Sequence, residues 1–249
     1  MPDADSRPRT GAQAWPRPVA RSQIILGDRS EVRDGWDVSL PPPRTSTAAR
    51  TAAAAGPNGL TLADASRLQK VTVRAAQHGT LAGRLPAYGR SDRDGHGTLR
   101  VGSGPGEWLL LSATRSPAEL GTDLHVTDVD TADVGAADLD QQGARELVSL
   151  VDVTHGRAML RLTGEAAAAT LAKLTPVDLT DRRAPHGAAL RCAVAGLVTD
   201  VVRDDRSRRP SYLLHCERSS GQYLFDVLAD AGQEFGLRPV TASAQELLG

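Results

Sequence analysis

Aromatic side chains are scarce in this chain, with Phe, Trp and Tyr together making up 3% of its 249 residues. Trp15 and Trp36 also fall in a segment with no sustained hydrophobic period. A core built from such a sequence is mainly Leu, Val and Ala, which leaves few large anchors, so a partner surface is expected to complete the burial. Net charge is missing as well. A balance of −1 provides no long-range field for nucleic acid and sets DNA- and RNA-binding readings aside. No apolar run approaches the roughly 20 residues that span a bilayer. The opening MPDADSRPRTG carries Asp3 and Asp5 without the apolar stretch of a secretory signal, so a cytoplasmic protein with reduced thiols and no membrane contact is expected. The two cysteines, Cys192 and Cys216, lie on strands predicted to be neighbours. They are read as small buried hydrophobes rather than as a working thiol pair.

Residues 1–58 are rich in Arg, Pro, Ala, Ser and Thr. That composition buries too little apolar surface to offset ordering entropy and predicts a disordered or extended N-terminal arm. Two islands interrupt it, Ile24-Ile25-Leu26 and Trp36 with Val38 and Leu40. These are incidental residues of a tail, or an arm that docks on a partner subunit. The folded domain is expected over 59–249. Val71 and Val73 alternate along a strand at 70–74, a helix is predicted over 76–85, and Trp108 to Ser112 form a strand after the GSGPGE turn. Residues 113–146 carry Glu119, Asp123, Asp128, Asp130, Asp133, Asp138, Asp140 and Glu146 with few bases. Their spacing is irregular and lacks the Gly and terminal Glu of a calcium loop, so the segment is read as an inserted, solvated acidic loop and no metal site is expected.

The most informative stretch is 151–179, VDVTHGRAMLRLTGEAAAATLAKLTPVDL. Ala158, Leu160 and Leu162 alternate with Arg157, Met159 and Arg161, the period of a half-buried strand. Gly164 ends it, and the alanine run predicts a helix over 165–174 with Glu165 in the first turn; Thr163 either caps that helix or finishes the strand with its side chain. Pro176 stops that helix. The C-terminal half continues with a long strand over 190–203, a strand over 211–217 and a helix over 220–235, in which Tyr223, Leu224, Val227, Leu228 and Ala231 recur at helical spacing. Strand 157–162 and helix 165–174 mirror strand 70–74 and helix 76–85, and strand 211–217 mirrors 108–112. The predicted class is therefore α+β, a pseudo-symmetric pair of ferredoxin-like strand-helix-strand units.

The order Val151-Asp152-Val153-Thr154-His155, the strand ending in Gly164, the helix closing on Leu171-Ala172-Lys173 and the Val177-Asp178-Leu179 exit resemble the aminomethyltransferase (glycine-cleavage T-protein) superfamily. More closely, they resemble the gamma-subunit family of bacterial heterotetrameric sarcosine oxidases. Gly104, Pro105, Trp108, Leu109 and Leu110 are similar to the same family's Gly-Pro-x-x-Trp-Leu-Leu pattern. The resemblance implies a non-catalytic accessory subunit with alpha, beta and delta partners. It further implies that FAD, FMN, NAD and tetrahydrofolate are held by the complex and none by this chain alone. Such a complex oxidatively demethylates sarcosine or a related N-methyl amine and passes the one-carbon unit to tetrahydrofolate. The alternative is a free-standing folate-binding aminomethyl- or methyltransferase-like protein.

His155, beside Asp152 and Thr154, has the make-up of a general base, yet no serine or cysteine nucleophile accompanies it, and it is read as structural. The resemblance makes Asp200, in Gly196-Leu197-Val198-Thr199-Asp200, the one folate candidate. Thr199 replaces a family carboxylate there, and Thr175-Pro176-Val177-Asp178 replaces an asparagine-bearing motif, so Asp200 is read as a strand-end or interface carboxylate. Lys173 is expected at the last carbonyls of its own helix or against an acidic partner. Arg203, Arg206, Arg208 and Arg209, with Asp204 and Asp205, read as a solvated hairpin tip. The Gly102 to Gly106 run precedes a strand and lacks a following Lys-Ser/Thr, so it is not a phosphate cradle. No catalytic residue is assigned.

Overall fold

Alternating apolar residues on successive strands build two large sheets and a small one. The computed structural model describes residues 20–33, 35–41, 59–124, 135–139 and 145–248, with the backbone alone at 135–139 and 145. Strands β1 (Ala20–Arg21), β2 (Arg29–Arg33) and β3 (Trp36–Leu40) form a three-stranded sheet in the order β1-β3-β2. Then come β4 (Thr61–Asp64), β5 (Gln69–Arg74), β6 (Ser91–Arg93), β7 (Leu99–Gly104) and β8 (Glu107–Ser112). Helix α1 (Pro117–Asp123), β9 (Gly135–Leu139) and β10 (Arg145–Asp152) follow. The second half contains β11 (Arg157–Thr163), α2 (Ala167–Ala172), β12 (Ala189–Val194), β13 (Leu197–Arg203) and β14 (Ser211–Glu217). It closes with α3 (Gly221–Ala231), β15 (Arg238–Val240) and α4 (Ala244–Leu248). One six-stranded sheet has the order β6-β7-β8-β5-β10-β9 and the other β12-β13-β14-β11-β4-β15. The fold is mixed α/β. Among the described residues, no helix is long and apolar enough to cross a membrane.

The two large sheets pack face to face, and this changes what the alternation means. Ala158, Leu160 and Leu162 of β11 join Leu171, Leu224 and Leu228 of the helices on one side. Met159 points the other way and packs with Val202 and Leu213 against Leu99, Val101, Leu109 and Leu111 of the opposite sheet. β11 is therefore buried on both faces, not half-buried, because a second sheet covers the face on which Arg157, Met159 and Arg161 alternate. On the far side of the first sheet, Val71, Val73, Trp108 and Leu110 pack against Leu81, Leu85 and Leu120. Cys192 and Cys216 are free thiols on β12 and β14, with β13 between them, so they do not lie on neighbouring strands. Burial pushes the Cys216 thiol up to about 11.

Several expected elements take another form. In place of a helix over 76–85 there is a single 3-10 turn, Leu81–Gly83. Gly79 and Gly83 weaken a helix here and Pro86 ends it, while the Trp108 indole donates to the Pro86 carbonyl at 2.9 Å and Glu146 accepts the Leu81 amide at 3.0 Å. Glu146, expected in the acidic loop, is thus a buried strap on that turn. Ser116 and Glu119 form a capping box that starts α1 within the same segment, and 125–134 and 140–144 lie outside the described residues. Thr163 does not cap α2. Its hydroxyl shares a 2.8 Å hydrogen bond with Ser211 across the sheet, and the helix begins at Ala167 without Glu165 in its first turn. The long strand expected over 190–203 is a hairpin, because Ala195 (φ 49°) and Gly196 (φ 82°) both adopt the left-handed backbone of a type I′ turn.

Part of the expected arm is folded onto the domain. Ile24 is 1% exposed and belongs to the helix-side core, while Trp36 is 4% exposed and stacks on His155 with ring centroids 4.8 Å apart. Residues 1–19 and 42–58 lie outside the described residues. Ile24→Ala is expected to lower the stability of the whole domain by about 2–4 kcal/mol, the cost of emptying a packed core site. Urea unfolding measures it, and an unchanged midpoint would return residues 20–41 to the status of a loose tail.

Candidate functional site

The strand register places three ionisable residues in one row. Arg191 on β12 lies opposite Asp200 on β13, and Asp200 lies opposite His215 on β14. All three face the other sheet, as cross-strand pairs do when residues of one phase share a face. Arg191 donates to Asp200 through Nε at 2.6 Å and Nη2 at 3.2 Å, and Nη2 also reaches Glu107 of β8 at 3.3 Å. Arg74 of β5 closes the chain on Glu107 at 3.1 Å. The row therefore joins one sheet to the other through alternating charges.

His215 is the group of this row with acid-base potential. Its Nδ1 lies 3.3 Å from Asp200 Oδ2, it is 6% exposed, and its Nε2 is buried without a hydrogen-bond partner among the described residues. Burial lowers the His215 pKa, with Asp200 opposing, so the ring is neutral near pH 7. For Asp200, burial alone would raise the pKa, but the hydrogen bonds from His215 and Arg191 outweigh it and hold the carboxyl below its ordinary range. An ionised Asp200 requires Nδ1 to carry the imidazole proton, which leaves the Nε2 lone pair facing the interior. Both Asp200 oxygens accept hydrogen bonds, Oδ1 from Arg191 and Oδ2 from Arg191 and His215.

Below this row lies a second polar cluster. Lys70 is 0% exposed, and its ammonium donates to the Ser66 and Leu68 carbonyls at 2.5 and 2.8 Å. Burial pulls its pKa down to about 7, against the opposing pull of Asp64 and Asp152. Asp64 accepts the Ser66 amide at 2.9 Å and the Ser22 hydroxyl, which ties the N-terminal segment to this layer. Thr154 accepts the Lys70 amide at 2.9 Å, and its own amide goes to Asp152 at 2.9 Å. The Asp152-Thr154-His155 segment is thus a hydrogen-bonded junction, with the His155 ring against Trp36 and its carbonyl accepting Arg218.

The charged turn after β13 is solvated only at its tip, where Ser207 and Arg208 are exposed; its base is buried. Asp204 is 2% exposed and receives Arg161 at 2.6 Å and both contacts of Arg93 at 2.8 and 2.9 Å, the latter from β6 of the opposite sheet. Arg203 is buried too, paired with Asp181 and Asp205 and donating to the Tyr212 hydroxyl at 2.7 Å. Two inter-sheet ion clusters therefore clamp the structure, Arg74-Glu107-Arg191-Asp200 and Arg93-Asp204-Arg161. Lys173 binds the Ala231 carbonyl of α3 at 2.8 Å and pairs with Glu234, so it serves a neighbouring helix end rather than its own. Gly102 to Gly106 shape the β7-β8 hairpin, with Gly106 at φ 68°. Sequence reasoning missed Lys70 and His215. Neither has a local signature, since each is a single polar residue within a strand. Among the described residues, no group of three or more His, Cys, Asp or Glu side chains is placed to hold a metal ion.

This geometry has relatives. The model of the GCVT N-terminal domain matches residues 122–249. The aminomethyltransferase of Saccharopolyspora erythraea is 30% identical over 125 residues, which are 50% of this chain and 34% of that protein. The aminomethyltransferase of Geobacillus thermodenitrificans is 33% identical over 101 residues, 41% of this chain and 27% of its own. The chain thus spans about a third of the curated relatives it matches. Among solved structures, the heterotetrameric sarcosine oxidase of Corynebacterium sp. U-96, in complex with pyrrole 2-carboxylate, superposes with a TM-score of 0.57 at 26% identity. That match covers 78% of this chain and 93% of the other. Aminomethyltransferase T of the Bartonella henselae glycine cleavage system has the same TM-score at 15% identity, covering 90% of this chain and 58% of its own, and shares the fold. With half of its length matched by that model, the chain belongs to the GCVT N-terminal domain family.

Proposed function

We propose that this chain is a non-catalytic, gamma-type accessory subunit of a heterotetrameric sarcosine oxidase-like complex. The observation that carries the reading is the likeness to a chain of such an oxidase over 93% of that chain's length. The interior supports it. Asp200 is held by Arg191 and His215, His215 is buried, and the described residues include no nucleophile poised against a base. In this reading alpha, beta and delta chains are the partners. FAD, FMN, NAD and tetrahydrofolate belong to the assembly, and sarcosine or another N-methyl amine is demethylated elsewhere in it. The reading extends to the fold as a pseudo-symmetric pair of ferredoxin-like units. The matching orders β7-β8-β5-β10 and β13-β14-β11-β4 favour that pairing, with β4 in the place of β10.

Tagged protein recovered from its host is expected to bring down a yellow complex with flavin absorbance. A colourless single chain would sink the proposal. The free-standing folate reading is favoured by the two aminomethyltransferase relatives, and it requires tetrahydrofolate binding that is lost in Asp200→Ala. With Asp200 occupied, calorimetry on the purified chain is expected to show no such binding.

A further inference from the structure

Arginines in this fold are mostly neutralised internally, as Arg74, Arg93, Arg161, Arg191 and Arg203 show. Arg90, Arg182 and Arg183 are different. They are exposed, have no ion pair or side-chain hydrogen bond among the described residues, and line one open cleft of about 630 Å³. Asp178 is the single carboxylate in the lining; its side chain accepts the Thr180 amide at 3.0 Å and hydroxyl at 2.6 Å, and Arg182 and Arg183 lie near enough to help lower its pKa without forming an ion pair. Three positive charges therefore face one negative charge in a concave site, above a floor that includes Val177, Pro185 and Leu190.

The cleft is built on rigid backbone. Arg90 bridges Ala188, the Ser91 amide donates to the Gly187 carbonyl at 2.7 Å, and the Ala189 amide donates to Gly89 at 2.9 Å. It thus spans the joint between the strands of the two large sheets. Tyr88, two residues from Arg90, is 63% exposed. Exposed tyrosine and arginine are the side chains that most often anchor protein interfaces. Like-signed charge focused in a cleft selects a partner of the opposite sign, and guanidinium groups suit carboxylates.

We propose that this cleft docks an acidic segment of a partner polypeptide, with its carboxylates on Arg90, Arg182 and Arg183 and an apolar side chain on the floor of Val177, Pro185 and Leu190. The inference rests on the subunit reading for the existence of a partner, but its test runs on the purified full chain, so the two fail separately. The probe is a short fluorescent peptide alternating glutamate and leucine, followed by anisotropy at low and high salt. Saturable binding that weakens with salt is expected. Arg182→Glu and Arg183→Glu are each expected to lower the affinity by about tenfold or more. Arg29→Glu, at an exposed arginine of another cleft, makes the same charge change and is expected to leave binding unaltered. Circular dichroism checks the fold, and Arg90→Gln is a milder second variant. The proposal is overturned by an absence of saturable binding, by variants that bind like the native chain, or by inorganic phosphate displacing the probe as well as unlabelled peptide does.

Discussion

Asp204→Ala is expected to destabilise the domain by about 3–5 kcal/mol, the cost of removing one partner from a buried ion cluster. Asp204 is the shared acceptor of Arg161 and Arg93, and Arg161 is itself buried, with Nη1 on the Asp204 carbonyl and Ser211 at 3.1 and 2.7 Å. Without the carboxylate, two guanidinium groups from opposite sheets repel each other where little water can reach them. Guanidinium unfolding gives the size of the effect, and a loss under about 1 kcal/mol would mean that the sheets are held by their apolar interface alone. The acid limb follows from the same residue. Burial would raise the Asp204 pKa, but Arg161 and Arg93 outweigh it and hold it below the ordinary value. A depressed carboxyl adds stability above its unfolded pKa of about 3.9, and that stability is lost as pH falls through the folded value.

The second large effect lies at the other end of the pH scale. Lys70 has a folded pKa of about 7, against an unfolded value of about 10.4. Between these values the unfolded chain holds a proton that the folded chain does not. Stability therefore rises with pH across this window, by up to about 1.4 kcal/mol per unit. Cys192 and Cys216 pull the other way, because their raised folded pKa values favour the unfolded state as pH rises. The decisive comparison is therefore native protein against Lys70→Met, which keeps the stem and removes the charge. The native-minus-variant difference is expected to shift by several kcal/mol, about 3–4, between pH 7 and pH 10. Parallel profiles would show that the Lys70 ammonium is charged in the folded state throughout this range.

How much of this was legible depended on whether the cause was local. β11, β14 and α3 were readable because their alternation or helical spacing is written in consecutive residues. The motif from Val151 to Leu179 was legible as ancestry for the same reason. The helix expected over 76–85 failed because Gly79, Gly83 and Pro86 carried more weight than its alanines. Ile24 and Trp36 were misjudged because their burial depends on elements far along the chain, such as the turn that holds His155.

The row of Arg191, Asp200 and His215 could not be assembled from sequence. A period of two says which residues share a face, not whether a second sheet will cover it. What the sequence alone determined was the family and the strand phases. Only the tertiary structure decided that Arg161, Asp204, Lys70 and His215 are interior groups. Face-to-face packing of the sheets removed water from the phase of each strand that carries them, and an ionisable group without water must find a partner or lose its charge.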